Sequence, residues 1–518
     1  MTEKYYYVTT PIYYVNGEPH MGSAYCTLAC DVMARFKRLD GYKVKFLTGT
    51  DEHGLKIYQS ARDKGMDPQA YTDEVSKTFR SLLPLMNFSN DDFIRTTEPR
   101  HKKAAQALWT KLVEKGDIYL SKYSGWYAVS DEAYYDESEI TTNAKGEKIA
   151  IASGKSVEWM EEESYFFKLS AWQDRLIDYF TKNPGAIAPK ARYNEIMSFI
   201  KGGLQDVSIS RTTFDWGIPV PNDPKHVMYV WIDALTNYLT ALGYPDDTPD
   251  MRHFWLEVLH VVGKDIQRFH CVYWPAFLMA ADLPAPKRVY SHGWLMAEDG
   301  RKMSKSFGNI VLPSDFVNTY GVDQTRFYLM REVPFGNDGN IGHEGIRRRM
   351  NTELANDFGN LAQRVLMFIF KNNKAQLPKI SDLTAEDKAL LDMSGSKLLN
   401  ICRQHIDVQE FHLMLEAIWN VIRAANVYVD QQAPWGLKKT DTVRMETVLG
   451  VLCEVVRRTA TLLQPIMPES TAKMLDQLTV ANDKRDFSQI TDEILLNQGA
   501  TIEQPQGIFP RFAAEAAA

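Results

Sequence analysis

The chain is poor in cysteine and has no long apolar run. Its five cysteines, Cys26, Cys30, Cys271, Cys402 and Cys453, include no CxxC pair. An odd, widely spaced set excludes a disulfide framework and fits a reducing compartment. Cys26 and Cys30 stand four apart and can share a helix face; small buried residues are the reading preferred there over a metal pair. No stretch approaches the ~20 apolar residues that span a bilayer. The opening "MTEKYYYVTTP" has neither a signal-peptide layout nor an arginine-rich transit pattern, so the expectation is a soluble, cytoplasmic protein without membrane contact. Internal repeats and low-complexity segments are lacking as well. There is no excess of basic charge: the formal net charge is -7. That does not exclude nucleic acid, because a local basic face binds phosphates whatever the total.

What is present is 518 residues of ordinary globular composition, 45% hydrophobic and 12% aromatic. That is too long for one core, and roughly three to five domains are expected. "KYYYVTTPIYYV" reads as a strand and "NGEPHMGS" as a turn-rich loop. Tyr25, Leu28, Ala29, Val32, Phe36 and Leu39 then recur at helical spacing, with Gly41 at the stop. "KVKFLTGTDEHG" is the next strand. The unit is βαβ, which places ligands at the carboxyl ends of parallel strands. From Gly116 to Lys225 short strand-like pieces alternate with acidic turns, as in an insertion. From Val227 the α/β texture returns, and "LHVVG" suits a buried parallel strand. From Met350 the pattern is almost wholly helical. Leu354, Phe358, Leu361, Val365 and Phe368 form one stripe, and long helical stretches cover Glu386–Val429 and Thr442–Leu463. Pro465 and Pro468 stop the pattern, and the tail "AAEAAA" reads as frayed helix.

Two motifs carry chemistry. In "EPHMGS", His20 and Gly22 lie between a strand and a helix N-terminus, where unpaired N–H groups and positive potential favour phosphate. The alternative for this loop is plain turn chemistry. In "DGRKMSKSFGN", Lys302 and Lys305 flank a small polar core between two glycines. The string KMSKS arises by chance in a chain of this length with probability on the order of 10⁻⁴. Two such lysines can neutralise charge developing on a triphosphate, and the glycines allow closure.

Their order, a histidine–glycine loop after the first strand, a KMSKS loop after the last α/β segment, then a helical region, resembles class I aminoacyl-tRNA synthetases. "TPIYYVNGEPHMGS", "TGTDEHG", "YVWIDALTNY", "VGKDIQRFHCVYWP" and "LMAEDGRKMSKSFGN" resemble the methionyl-tRNA synthetase family over nearly the whole chain. The resemblance implies an α/β fold: a Rossmann-type parallel-sheet catalytic domain with a connective insertion and a C-terminal α-helical anticodon-binding bundle. The boundaries expected are 1–115 and 226–290 for the catalytic halves, 116–225 for the insertion, 291–348 for the KMSKS and stem-contact region, and 349–518 for the bundle. It implies methionine–tRNA ligase activity with ATP and Mg²⁺, and L-methionine and tRNA(Met) as partners. His20, Ser23, Lys302, Lys305 and Arg211 would be catalytic. His20, Gly22, Gly263, Asp265 and Lys305 would bind ATP. Asp51 would hold the substrate ammonium, and Ile12, Tyr14, Trp231, Ala234, Tyr238, Phe269, His270 and Trp274 would build the side-chain pocket. A thioether packs well against aromatic edges, so the pocket suits the substrate; Trp231 and Trp274 as plain core and Arg211 as a surface ion pair are the alternatives. Asn360, Arg364 and Trp435 would read the anticodon, since loop bases are recognised by stacking and edge contacts. Arg347–Arg349 is a candidate contact to the tRNA backbone, against a solvated face.

Two departures from the family pattern stand out. Relatives often carry a zinc knuckle in the insertion. Here Ala128, Asp131, Ala150 and Ser153 stand at the ligand positions, so no zinc and no other protein-bound metal is expected, with Trp126, Tyr127, Tyr134 and Tyr135 holding the knuckle by packing. Ser23 stands where a second histidine is common; serine donates one hydrogen bond but carries no charge. The alternatives kept open are a nucleotidylyltransferase of the same superfamily and a synthetase-derived, non-catalytic RNA-binding protein. A monomer is the expected state.

Overall fold

A computed structural model describes residues 3–131, 133–301, 303 and 309–512, with nothing described of the side chains of Tyr123, Ala133, Tyr134 and Glu162. The expected first strand divides at Pro11 into Tyr5–Thr9 and Tyr13–Tyr14. Proline has no N–H for a ladder, so pairing breaks there and resumes farther along the same side of Lys43–Asp51, Thr9 facing Leu47 and Tyr13 facing Thr50.

The central sheet runs Ile187–Ala188, Arg288–His292, Val258–Gly263, Tyr5–Thr9 and Lys43–Asp51 across its width. Tyr13–Tyr14 and Asp92–Arg95 both pair with Lys43–Asp51. Every pairing in this sheet is parallel. The strand carboxyl ends therefore share one edge, and Thr9, Asp51, Gly263 and His292 meet there. Tyr5–Thr9 has the next strand in sequence on one side and Val258–Gly263 on the other. That reversal of strand order opens a crevice, where parallel sheets bind ligands. The first helix, Met21–Leu39, lies under the crevice and is buried over most of its length. Gly41 follows its end with φ 80°, the left-handed stop expected there.

The segment 116–225, expected as an insertion, opens with an antiparallel hairpin of Ile118–Ala128 against Glu158–Phe167, with a small excursion between, and then rejoins the central sheet through its edge strand Ile187–Ala188. The stretch Glu386–Val429 is not one helix but three, Ala385–Ser394, Ser396–Asp407 and Phe411–Gln432. Gly395 and Gln409, the latter at φ 60°, take non-helical backbone at the breaks. Pro468 does not only stop a helix: it opens Pro468–Gln477 from the first-turn position, where a missing N–H costs nothing. The last part of the bundle departs most from the helical expectation. Residues 478–512 are largely irregular and fixed by buried arginines on Thr442–Leu463. Arg457 donates to the Gln489 carbonyl at 2.9 Å and Arg458 to the Glu493 carbonyl at 2.8 Å. Both arginines are balanced by the buried Glu454 carboxylate. The "AAEAAA" tail lies outside the described residues.

Candidate active site

His20 caps the first helix. Its Nδ1 accepts from the Gly22 N–H at 3.1 Å. A Cβ on residue 22 would fall 2.9 Å from the His20 ring, so any other residue there would push the capping ring aside. Because Nδ1 accepts, the proton of the neutral ring sits on Nε2. Desolvation by the cleft walls pushes the imidazole below its ordinary pKa, while the Asp265 carboxylate acts the other way. Ser23 is buried, and its carbonyl accepts from Tyr13 and Thr27.

Gly263 ends its strand opposite His292. A Cβ there would lie 2.4 Å from Asp265 Oδ1, so the glycine lets the carboxylate fold back to the strand end. The residue after the strand end is tied to the segment ahead of Leu295–Met296. Lys264 pairs with Asp338 at 2.6 Å and lies 4.1 Å from the Trp294 ring centroid. Asp338 also accepts from the Trp294 N–H, ahead of the short strand Leu295–Met296. Lys302 and Lys305 lie outside the described residues.

The residues expected to build the side-chain pocket gather around the helix Val230–Thr240. Trp231 stacks on Phe269, centroids 3.8 Å apart and planes 6° apart. Tyr238 and His270 are joined, hydroxyl to Nε2, at 2.8 Å. His270 Nδ1 faces the Ile266 carbonyl at 3.1 Å and so carries the proton, which makes Nε2 the acceptor. Burial pushes this histidine down to about 4 despite that carbonyl, so the ring is neutral near pH 7. Ile12, Tyr14, Trp231 and Phe269 are half-buried against one apolar cluster that includes Tyr238 and Trp274, and Ala234 is itself buried. Trp274 is fully buried and backs the pocket, its N–H 3.3 Å from His260 Nε2.

His260 was not singled out by sequence reasoning, yet it lies 4.1 Å from the Tyr238 ring and bonds Thr9 Oγ1 at 2.8 Å. Burial and then His270 hold it well below the ordinary histidine range. Asp233, His53 and His101 were also missed. His53 Nδ1 and His101 Nε2 lie 2.6 and 2.7 Å from the two oxygens of Asp233, all three side chains buried. Burial would raise this carboxyl; the two imidazoles outweigh it and bring it to about 2. The available signal was a charged or polar residue inside an apolar run, "VWIDAL" and "LHVV", because such a residue is buried only with partners. Next to Asp51, the buried Glu52 accepts from Thr50, Thr97 and Arg95.

Arg211 is not a surface ion pair. It is buried, with its guanidinium 4.6 Å from the Tyr229 ring centroid and 5.2 Å from that of Tyr127. Tyr229 immediately precedes the pocket helix, so the stack binds the insertion to it.

The four knuckle positions do meet. Ala128 and Ala150 are buried together with Val157, with Trp126 and Tyr135 packed on them. Asp131 accepts from Ser153 and, at 2.9 Å, from Tyr135. Two alanines supply no donor, so this set does not fit zinc. Among the described residues no group of three or more His, Cys, Asp or Glu is placed to hold a metal ion. The Tyr134 side chain lies outside the described groups.

In the bundle, Arg364 lies 5.3 Å from the centroid of Trp435, which is 47% exposed, and pairs with Asp430 at 2.7 Å. Asn360 is exposed one turn earlier on the same helix, Asn360–Asn372. Arg348 and Arg349 are paired with Glu332, while Arg347 is exposed and bonds the His343 carbonyl.

A parallel sheet interrupted by a hairpin insertion, with a histidine-capped helix under its first half and a lysine loop after its second, is the architecture of class I aminoacyl-tRNA synthetases. A family model described as "tRNA synthetases class I (M)" matches residues 6–366, and one described as "Anticodon binding domain of methionyl tRNA ligase" matches residues 377–518. The chain belongs to the methionine–tRNA ligase family. It is 54% identical over 512 residues to the methionine–tRNA ligase of Brucella suis, covering 99% of each chain. It is 52% identical over 512 residues to that of Mesorhizobium japonicum, covering 99% of this chain and 98% of the relative. Mycobacterium tuberculosis methionyl-tRNA synthetase in complex with methionyl-adenylate matches with TM-score 0.95 at 49% identity, over 98% of this chain and 100% of that one. The apo form of that synthetase matches with TM-score 0.89 at 46% identity, over 99% of each. Neither a nucleotidylyltransferase nor a non-catalytic relative is favoured. No helix among the described residues is long and apolar enough to cross a membrane.

Proposed function

We propose that the chain activates L-methionine with ATP and transfers the methionyl group to tRNA(Met). A methionine carboxylate oxygen attacks the α-phosphorus, and a P–O bond forms as the bond to the β-phosphate oxygen breaks and pyrophosphate leaves. A ribose hydroxyl at the tRNA 3′ end then attacks the acyl carbon, and AMP departs. What supports this reading is that the helix N-terminus capped by His20 and the buried His270, which bonds Tyr238, both lie within electrostatic reach of Asp265 just past the strand end at Gly263.

His20 Nε2–H and the helix amides face phosphoryl oxygens in this reading, with Ser23 adding a hydroxyl. Asp265 accepts from the ribose hydroxyls, with Gly263 allowing the approach. Lys302 and Lys305 neutralise charge as the pyrophosphate forms. Asp51 holds the ammonium, and Arg211 is a buried cation beside the pocket. Magnesium enters on the nucleotide phosphates, and the knuckle holds without zinc. Asn360, Arg364 and Trp435 read anticodon bases, and Arg347 contacts the tRNA backbone. The division at 115/116, 225/226, 290/291 and 348/349 follows the switches in chain texture, and a cytoplasmic monomer is the state proposed.

ATP–pyrophosphate exchange with each amino acid in turn tests this. Methionine alone is expected to drive exchange. Exchange with leucine or cysteine but not methionine would break the specificity reading, and exchange with none would break the enzymatic one.

A further inference from the structure

Asp51 closes the strand Lys43–Asp51, and two residues later His53 begins a buried link to the other wall of the pocket. His53 Nδ1 lies 2.6 Å from Asp233 Oδ2, and His101 Nε2 lies 2.7 Å from Oδ1. A carboxylate only accepts, so each facing ring nitrogen carries its proton. His101 is braced in turn by Thr240 at 3.2 Å, near the far end of the pocket helix. Trp216 closes the near side: its N–H donates to the Glu52 carbonyl at 2.6 Å, and its ring meets His53 edge-on at 5.3 Å. Asp233 itself stands on the helix that carries Trp231, Ala234 and Tyr238.

A fully buried carboxylate is an expensive way to join two elements, and apolar contacts join them at least as stably. What two short, directional hydrogen bonds add is a fixed distance. The distance here runs from the strand end bearing Asp51, the proposed ammonium holder, to the helix bearing the side-chain wall.

We propose that Asp233 is a positioning residue that sets the spacing between Asp51 and the Trp231–Ala234–Tyr238 wall, so that the pocket selects amino acids by side-chain length. This inference rests on the methionine-activation reading. Its readout is discrimination among S-methylcysteine, methionine and ethionine, which differ by one methylene at a time. A methylene in an apolar pocket is worth about 10- to 200-fold in specificity, and loosening the spacing erodes that ratio.

The test is pyrophosphate exchange. Wild type with methionine comes first, and no exchange there defeats the functional reading rather than this one. Asp233→Asn keeps one acceptor and loses the other. It is expected to raise the KM for methionine about tenfold, leave the KM for ATP within about twofold, and cut the preference over ethionine and S-methylcysteine at least fivefold or so. His101→Gln places an amide N–H at the Nε2 position and is expected to keep the preference, whereas His101→Ala loses it. An unchanged preference in folded Asp233→Asn overturns the proposal. Should Asp233→Asn not fold, equal preferences in His101→Gln and His101→Ala overturn it instead.

Discussion

Arg326 and Asp31 form an ion pair with neither side chain exposed, Nη2 lying 2.6 Å from Oδ2. The same guanidinium donates to the carbonyls of Met86, Asn87, Pro465 and Ile466. Asp31 is on the helix that His20 caps, and Pro465 and Ile466 follow the central helix of the bundle. One residue thus ties the helix capped by His20 to the segment that follows Thr442–Leu463. Replacing it by leucine leaves a buried carboxylate with Arg35 as its remaining ion-pair partner, and strips four carbonyls of a donor. The expected loss is about 3–5 kcal/mol, read from urea denaturation. A loss below about 1 kcal/mol, the range of an exposed pair, would show that the pair does not hold the domains together.

Gly263→Ala drives a methyl group to within 2.4 Å of Asp265 Oδ1. The carboxylate has to swing away from the strand end. The KM for ATP is expected to rise about tenfold, on the order of one charge-assisted hydrogen bond, with the KM for methionine little changed. Equal rises in both constants would place Asp265 outside the nucleotide site.

Acid sensitivity follows from the buried histidines His270 and His260. Unfolded, His270 takes up a proton near pH 6.5; folded, burial delays uptake to about 4. The unfolded state binds more protons between those values. Stability from this group is therefore complete above about pH 6.5 and is lost as pH falls toward 4. His260, also held low, acts with the same sign. Urea midpoints of wild type should fall between pH 7 and 5, and His270→Gln should fall less, by up to about 1.4 kcal/mol per pH unit. Parallel curves would remove His270 from the balance.

The knuckle should carry no stoichiometric zinc, and a chelator should leave its unfolding temperature unchanged. Its stability instead rests on Ala128, Ala150, Val157 and the Asp131–Ser153–Tyr135 bonds. Metal analysis of purified protein showing one zinc per chain would contradict this.

Trp435→Ala removes an exposed ring that lies against Arg364. Stacking of a base on an aromatic contributes about 1–3 kcal/mol, so aminoacylation should weaken roughly tenfold in KM for tRNA while pyrophosphate exchange is spared. Matching losses in both assays would indicate a folding defect.

The order of parts was legible from the sequence because local chemistry dictates it. The βαβ opening, the buried strand Val258–Gly263 and the stop at Gly41 follow from period, punctuation and backbone sterics, each settled within about a dozen neighbouring residues. The helical tail was misread for the converse reason. Residues 478–512 are held by arginines on another helix, and nothing local marks that.

The sequence by itself determined which chemical groups are available: a cap histidine, a lysine loop, an aromatic set near two strand ends, and alanines where a metal would need donors. Only the tertiary structure decided which of those groups touch. It joined His53, His101 and Asp233 across more than a hundred residues, turned Arg211 inward between two tyrosines, and set His260 behind Tyr238. Burial makes such partnerships obligatory, because a polar group removed from water has to find its complement wherever the fold brings one.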